Sequence, residues 1–261
     1  MIRPHVHVDA TPAVGAGPQI LARIEDCLAE RGRCRIALSG GSTPGPLLRW
    51  LGEHVPAAYY PALAITWADE RILPTLDGGP HLGDDGWPRW GAWHPDTNLK
   101  LAWTRWLEAA EALPGDVLGM HGLDPVDAEA QFTPAFLERF DGAVDVALLG
   151  VGPDGHVASL FPEHEALGVE GCAVAVPDSP KPPPGRLSLT LGVLAEASHI
   201  FVIATGAEKA APLRQALQGE GPLGRLLTEA VGEVAWWLDE GAASAIGQGE
   251  SIDTRTEEEQ G

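Results

Sequence analysis

The chain has 261 residues, enough for one large α/β domain or two small ones with an ample core. Apolar residues make up 44% and charged residues 21%, an ordinary globular balance, but 37 acids against 17 bases leave a formal net charge of −20. A surface that acidic repels nucleic acid, and an anionic substrate would need a local basic pocket working against the global field.

Apolar runs of strand length alternate with helical patterns, which predicts a mostly parallel sheet flanked by helices. A helix over Pro18–Arg31 leads to a strand at Arg35–Ser39. The turn Ser39-Gly40-Gly41-Ser42-Thr43-Pro44 follows, then a helix over Pro44–Glu53. Glycines there let backbone approach an anion, and Ser42 or Thr43 can cap the helix so that its first N–H groups face the ligand. No Gly-Lys-Ser/Thr follows, so this is not a Walker loop. A plain strand-to-helix turn explains the same residues.

The strand Ala62–Ala68 runs into Asp69-Glu70-Arg71. Arg71 can clamp a phosphate or polarise a carbonyl through its forked donors, with Asp69 or Glu70 orienting it. A solvated, salt-bridged turn is the plainer reading. Residues 75–96, rich in Gly and Pro and carrying Trp87, Trp90 and Trp93, read as a long loop. It is either a lid or interface patch, or, the favoured reading, a surface insertion whose indoles pack on the body. Helices are expected over Thr97–Ala112 and Pro125–Phe140.

The strand Val144–Val151 ends in Gly150-Val151-Gly152-Pro153-Asp154-Gly155-His156. In an open α/β sheet, ligands sit at the carboxyl ends of strands. A His there can take and return a proton near neutrality. The same turn spells G-x-G-x-x-G, the dinucleotide fingerprint. Pro153 and His156 stand where that fingerprint wants small residues, and no acidic residue closes a strand about 20 positions later. The match is therefore read as coincidence. Ser159 is not flanked as G-x-S-x-G, which argues against a nucleophile elbow.

A strand at Ala173–Val176 precedes the stiff loop Asp178–Arg186, whose prolines can hold Lys181 and Arg186 in place. Strands follow at Leu187–Leu191 and Ile200–Thr205, then Thr205-Gly206-Ala207-Glu208-Lys209 opens a helix over Ala207–Leu217. Lys209 can reach an anion or simply be solvated. A helix over Pro222–Val231 and a strand at Val234–Leu238 end the regular pattern, so residues 1–248 read as a single catalytic domain. From Gly249 onward the acidic stretch reads as a frayed, disordered tail.

Cys27, Cys34 and Cys172 lack any Cys-x-x-Cys spacing, which fits a reducing compartment. The N-terminal residues lack a signal-peptide core, and no apolar run reaches the roughly 18 residues of a membrane span. A cytoplasmic protein without membrane or nucleic-acid partners is expected. The sequence leaves monomer or dimer open.

Taken together, Ser39–Pro44, Asp69-Glu70-Arg71, Gly150–Pro162, Ser179–Thr190 and Thr205–Ala210 resemble, in content and order, the 6-phosphogluconolactonases within the wider family that includes glucosamine-6-phosphate deaminases. The resemblance implies a Rossmann-like α/β fold. It also implies hydrolysis of 6-phospho-D-glucono-1,5-lactone to 6-phospho-D-gluconate in the oxidative pentose phosphate pathway, with no metal and no organic cofactor. By position, His156 matches the general base. Gly40, Gly41, Ser42 and Thr43 match the phosphate loop, with Asp69 beside it, and Arg186 and Lys209 match basic phosphate contacts. Arg71 matches an active-site Arg, its partner being phosphate or lactone. Asp154 either orients the imidazole or holds a substrate hydroxyl.

The deaminases typically carry Asp-Glu-Tyr where this chain has Asp69-Glu70-Arg71, and a catalytic Glu five positions after the His, where this chain has Phe161. Phe cannot move protons, so lactone hydrolysis is preferred over deamination or isomerisation. A non-catalytic sugar-phosphate sensor would need a DNA-binding module, for which the sequence offers no spare segment or basic surface.

Overall fold

Eleven short strands carry the chain back and forth through the described residues. They are β1 His5–Val8, β2 Cys34–Leu38, β3 Leu63–Trp67, β4 Asp69–Arg71, β5 Asp116–Leu118, β6 Val146–Leu149, β7 Ala173–Val176, β8 Arg186–Leu189, β9 His199–Ala204, β10 Glu233–Leu238 and β11 Ile252–Asp253. The structure is a computed structural model that describes residues 1–41, 43–73, 94–108, 110, 112–120 and 127–247, with the backbone of 252–253. Eight strands form one sheet in the order β11-β1-β10-β9-β6-β2-β3-β5, with every neighbouring pair parallel. The other three form a small antiparallel sheet, β4-β8-β7.

The central strands are mostly apolar and buried, with Arg35 and His199 half-buried near the amino-terminal ends of β2 and β9, as a parallel sheet covered on both faces requires. Chain order runs outward in one direction from β2 through β3 to β5. It runs in the other direction from β6 through β9 to β10. The switch point therefore falls between β2 and β6, which pair Ile36 with Val146 and Leu38 with Leu148. Crevices for ligands open at the carboxyl ends of strands at such a point. Both glycine-rich turns lie there.

The helices are α1 Pro12–Gly15, α2 Gly17–Arg31, α3 Gly45–His54, α4 Asn98–Ala102, α5 Ala128–Phe140, α6 Leu191–Ala195, α7 Ala210–Leu217, α8 Gly221–Glu229 and α9 Glu240–Ala243. Their apolar stripes follow helical spacing. In α2, Ile20, Ile24 and Cys27 face the core, and Gly32 in the left-handed region at φ 68° ends the helix. In α5, Phe132, Phe136 and Phe140 stack successively at 5.4 Å between centroids.

Several local expectations are corrected. The strands Ala173–Val176 and Leu187–Leu191 belong to the small antiparallel sheet, not to the parallel one. Thr190 and Leu191 do not extend β8, because the Thr190 hydroxyl accepts from the Val193 amide and starts α6. The helix expected over Thr97–Ala112 is α4 followed by a π turn at Trp103–Leu107. α3 begins one residue after Pro44 with no side-chain cap, so Thr43 does not cap it. Within the expected tail, Ile252–Asp253 pair with β1. Ser42 and residues 74–93, which hold Trp87, Trp90 and Trp93 and all but the last three residues of the loop expected at 75–96, lie outside the described residues.

Candidate active site

At the switch point a small cleft of about 230 Å³ opens between the two turns. Ser39, Gly40, Gly41, Thr43 and Pro44 form one wall, and Gly150, Val151, Gly152, Pro153, His156 and Ala158 form the opposite wall. Asp69, Arg71, Asn98, Arg186 and Lys209 complete it. The structure thus gathers residues 170 positions apart, and all the predicted site residues it describes line the cleft except Asp154, which stands behind His156.

The turn after β6 builds the His–carboxylate pair locally. Gly152 donates its amide to the His156 carbonyl at 2.8 Å, and Gly155 donates to the Gly152 carbonyl at 3.0 Å. Gly155 sits at φ 83°, a conformation that suits glycine. The folded-back turn brings His156 Nδ1 to 2.5 Å from Asp154 Oδ1. Both groups lie against Gly152, where a Cβ would overlap the imidazole and the carboxylate. With Nδ1 directed to Asp154, Nε2 is the nitrogen left to accept a proton. Phe161 packs on the imidazole at 4.7 Å between centroids.

Burial pulls the His156 pKa below the ordinary 6.5, while the hydrogen bond and charge of Asp154 pull it partly back. The imidazole is therefore neutral at pH 7, the state a base needs. For Asp154, burial alone would raise the pKa. The hydrogen bonds and charges of His156 and Lys181 outweigh it and hold the carboxyl below its usual range. Lys181 was placed by the sequence only on a stiff loop. In the structure its Nζ lies 3.1 Å from Asp154 Oδ1 and 3.2 Å from His156 Nδ1.

On the other side of the cleft, β4 pairs with β8 so that Arg71 stands directly opposite Arg186. Arg186 is buried. It donates Nε to the Pro183 carbonyl at 2.9 Å and Nη2 to those of Pro182 and Lys181, and its Nη1 lies 3.6 Å from Asp69 Oδ2. It therefore braces the proline loop as well as facing the cleft. Arg71 donates Nη1 to the Asp96 carbonyl, and its buried Nε has no hydrogen-bond partner among the described residues. Lys209 reaches the rim from the start of α7, and burial lowers its pKa.

The charges after β3 are not a solvated turn. Asp69 accepts from the Ser159 hydroxyl at 2.6 Å, which ties up the only hydroxyl of the His156 turn. Glu70 is fully buried. Its carboxylate accepts the amides of Arg71, Asn98 and Leu99, each at 2.7 Å, and so anchors the first turn of α4 from outside. Burial pushes its carboxyl up to about 7, against the pull of those three N–H groups. Asn98 donates to the Asp69 carbonyl at 2.8 Å, and its amide packs on Gly40, where a Cβ would overlap it. Glu70, Asn98, Ser159 and Lys181 are functional neighbours that sequence reasoning did not place. The run of adjacent charges at 69–71 hinted at Glu70 and the stiff proline loop at Lys181, but neither signal gave their partners.

The site thus sets a His–carboxylate pair and a group of cations around one cleft at the switch point of an open parallel α/β sheet, where ligands of such folds bind. Residues 11–79 and 89–236 match the family described as glucosamine-6-phosphate isomerases/6-phosphogluconolactonase, and the chain belongs to that family. It is 35% identical to the 6-phosphogluconolactonase of Bos taurus over 84% of each chain. It is 33% identical to that of Streptomyces coelicolor over 90% of each. Among solved structures, 6-phosphogluconolactonase from Trypanosoma cruzi superposes with a TM-score of 0.75 at 25% identity, covering 94% of this chain and 98% of that one. A monomeric glucosamine-6-phosphate deaminase shares the fold, with a TM-score of 0.67 at 18% identity over 92% of this chain and 99% of that one.

Proposed function

We propose that this chain hydrolyses 6-phospho-D-glucono-1,5-lactone to 6-phospho-D-gluconate, the lactone step of the oxidative pentose phosphate pathway. Membership of the family and the names of its similar relatives support the substrate. The observation that carries the chemistry is His156, neutral and oriented by Asp154 at 2.5 Å, at the mouth of a cation-lined cleft.

The substrate phosphate is held by Arg71, Arg186 and Lys209, with backbone N–H groups of Gly40, Gly41 and Thr43, which fixes the lactone for attack. His156 Nε2 takes a proton from water as its oxygen bonds to C1. Donors of the cleft stabilise the oxyanion, and His156 returns the proton to the ring oxygen as the C1–O bond breaks. A lactone is an activated ester, so one base of this kind suffices. Phe161 occupies the place where a deaminase of the family carries its catalytic Glu, which argues against ammonia release.

The test is lactone loss from freshly made substrate at controlled pH, corrected for spontaneous hydrolysis. His156→Ala is expected to lower kcat roughly 10²–10⁴-fold with KM little changed. In the wild type, kcat/KM should rise with pH through a value below 6.5 and level off above it, because protonated His156 cannot act as base. Near wild-type turnover in the variant removes His156 from the role.

A further inference from the structure

We propose that Lys181 is a positioning residue of the reaction, its ammonium anchored on Asp154 and set beside the imidazole so that His156 takes the proton of water only transiently and gives it up readily. The proposal rests on His156 being the base.

The geometry leaves Lys181 few other roles. Asp154 Oδ1 receives both the His156 Nδ1–H, at 2.5 Å, and a Lys181 N–H, at 3.1 Å. An ammonium has no lone pair, so it cannot accept from Nδ1–H. Its position 3.2 Å from Nδ1 is therefore held by the shared carboxylate and not by the imidazole. While His156 is neutral this costs little. Once Nε2 has taken a proton, the imidazolium lies against a second cation, and the pair repels.

Lys181 is not a loose surface chain. Its backbone amide donates to the Ser179 hydroxyl at 3.3 Å, which in turn donates to the Lys181 carbonyl at 3.1 Å. Arg186 holds the carbonyls of Lys181, Pro182 and Pro183 from below. The loop is thus fixed to β8, and the ammonium is presented to the turn after β6 from a separate element.

The charged groups around the imidazole act in both directions. Asp154 on its own turn favours the imidazolium strongly and Asp69 on β4 favours it weakly, while Lys181 opposes it and the face against Phe161 is apolar. Lys209 sits further off, its charge felt by Lys181 and Asp154. Asp154 alone would make His156 a better acceptor and a worse donor. A base that must return its proton to the leaving ring oxygen works best when its proton affinity is intermediate. Lys181 offsets part of the effect of Asp154.

The decisive comparison uses the full chain with Lys181→Met, Lys181→Gln and Lys181→Arg. It follows kcat and KM against pH, and His156 itself by NMR titration of the substrate-free protein, the signal assigned by its loss in His156→Ala. Removing the charge should move both the His156 titration and the acid limb of kcat/KM to higher pH by roughly half to one pH unit. It should also lower kcat by about 3–10-fold, with KM within about twofold. Lys181→Arg should restore the wild-type limb. An unmoved or downward-shifted titration overturns the proposal. So does a tenfold rise in KM with the limb in place, which would make Lys181 a substrate contact. If His156→Ala retains turnover, the base assignment falls separately, since the NMR titration reads the influence of Lys181 without any reaction.

Discussion

At the amino-terminal edge of β2 and β6, Arg35 commits every side-chain nitrogen. Nε and Nη2 reach the two oxygens of Asp145 at 3.0 and 2.7 Å, and Nη1 reaches the Phe140 carbonyl at 2.8 Å. Asp145 takes the Arg35 amide and Arg31 as well. Nearby, Arg139 and Arg33 close on Asp116 at the start of β5. At the carboxyl edge of the same strands, charge is just as dense but differently arranged. Arg71 keeps a buried Nε without a partner among the described residues and faces a second arginine. One edge neutralises its charges within the fold, and the other leaves cations turned toward a cleft. Saturated charge marks a structural role, and incompletely satisfied charge marks a place for a ligand.

The contrast can be broken from either side. The largest effect on folding is expected from Arg35→Met, which leaves Asp145 with only Arg31 and the residue-35 backbone amide and should cost about 3 kcal/mol in chemical denaturation. Activity per folded molecule should be unchanged. Burial pushes the Asp145 pKa up, but the hydrogen bonds and charge of Arg35, with the charge of Arg31, hold it below its ordinary value. Its stabilisation is therefore present at neutral pH and lost as pH falls through that lowered value, so the variant should lose the part of the acid-side dependence that the Arg35 side chain supplies.

Asp154→Asn should do the reverse, lowering kcat roughly 10²-fold while the melting temperature barely moves. Its acid limb should shift to lower pH, because the carboxylate that favours the imidazolium is gone. An equal loss of stability would mean that the two edges are not so different.

Gly152→Ala sharpens the same point with a smaller perturbation. The new methyl displaces the imidazole and Asp154 carboxylate rather than backbone, so kcat should fall about tenfold or more with little change in fold stability.

Much of this was readable in the chain, and the reason differs by element. The turn at Gly150–His156 is built from residues within seven positions of one another, so its glycines and His could be interpreted from local rules alone. The strand-to-helix turn at Ser39–Pro44 was legible as backbone, although its cap was not. Asp69 and Glu70 looked solvated because acids usually are. Their partners, Ser159 and the amides of α4, lie 90 and about 28 residues away, where no pattern in the sequence connects them. β1 and β5 are four and three residues long, too short for periodicity to register. Lys181 illustrates the same limit. Its loop announced stiffness, and only the packing of two distant elements shows what the stiffness positions.

Under the phosphate assignment proposed above, the cross-strand pair Arg71 and Arg186 couples occupancy to stability. Two guanidinium groups facing each other on adjacent strands oppose the pairing that holds β4 to β8, and Asp69 offsets only part of that. A dianion seated between them removes the opposition, so ligand binding and the integrity of this ribbon become one equilibrium. Inorganic phosphate alone should raise the melting temperature in a saturable way, and Arg71→Gln should melt higher than the wild type without phosphate and gain less when it is added. On that reading the small sheet carries a standing electrostatic debt that its substrate discharges at every encounter.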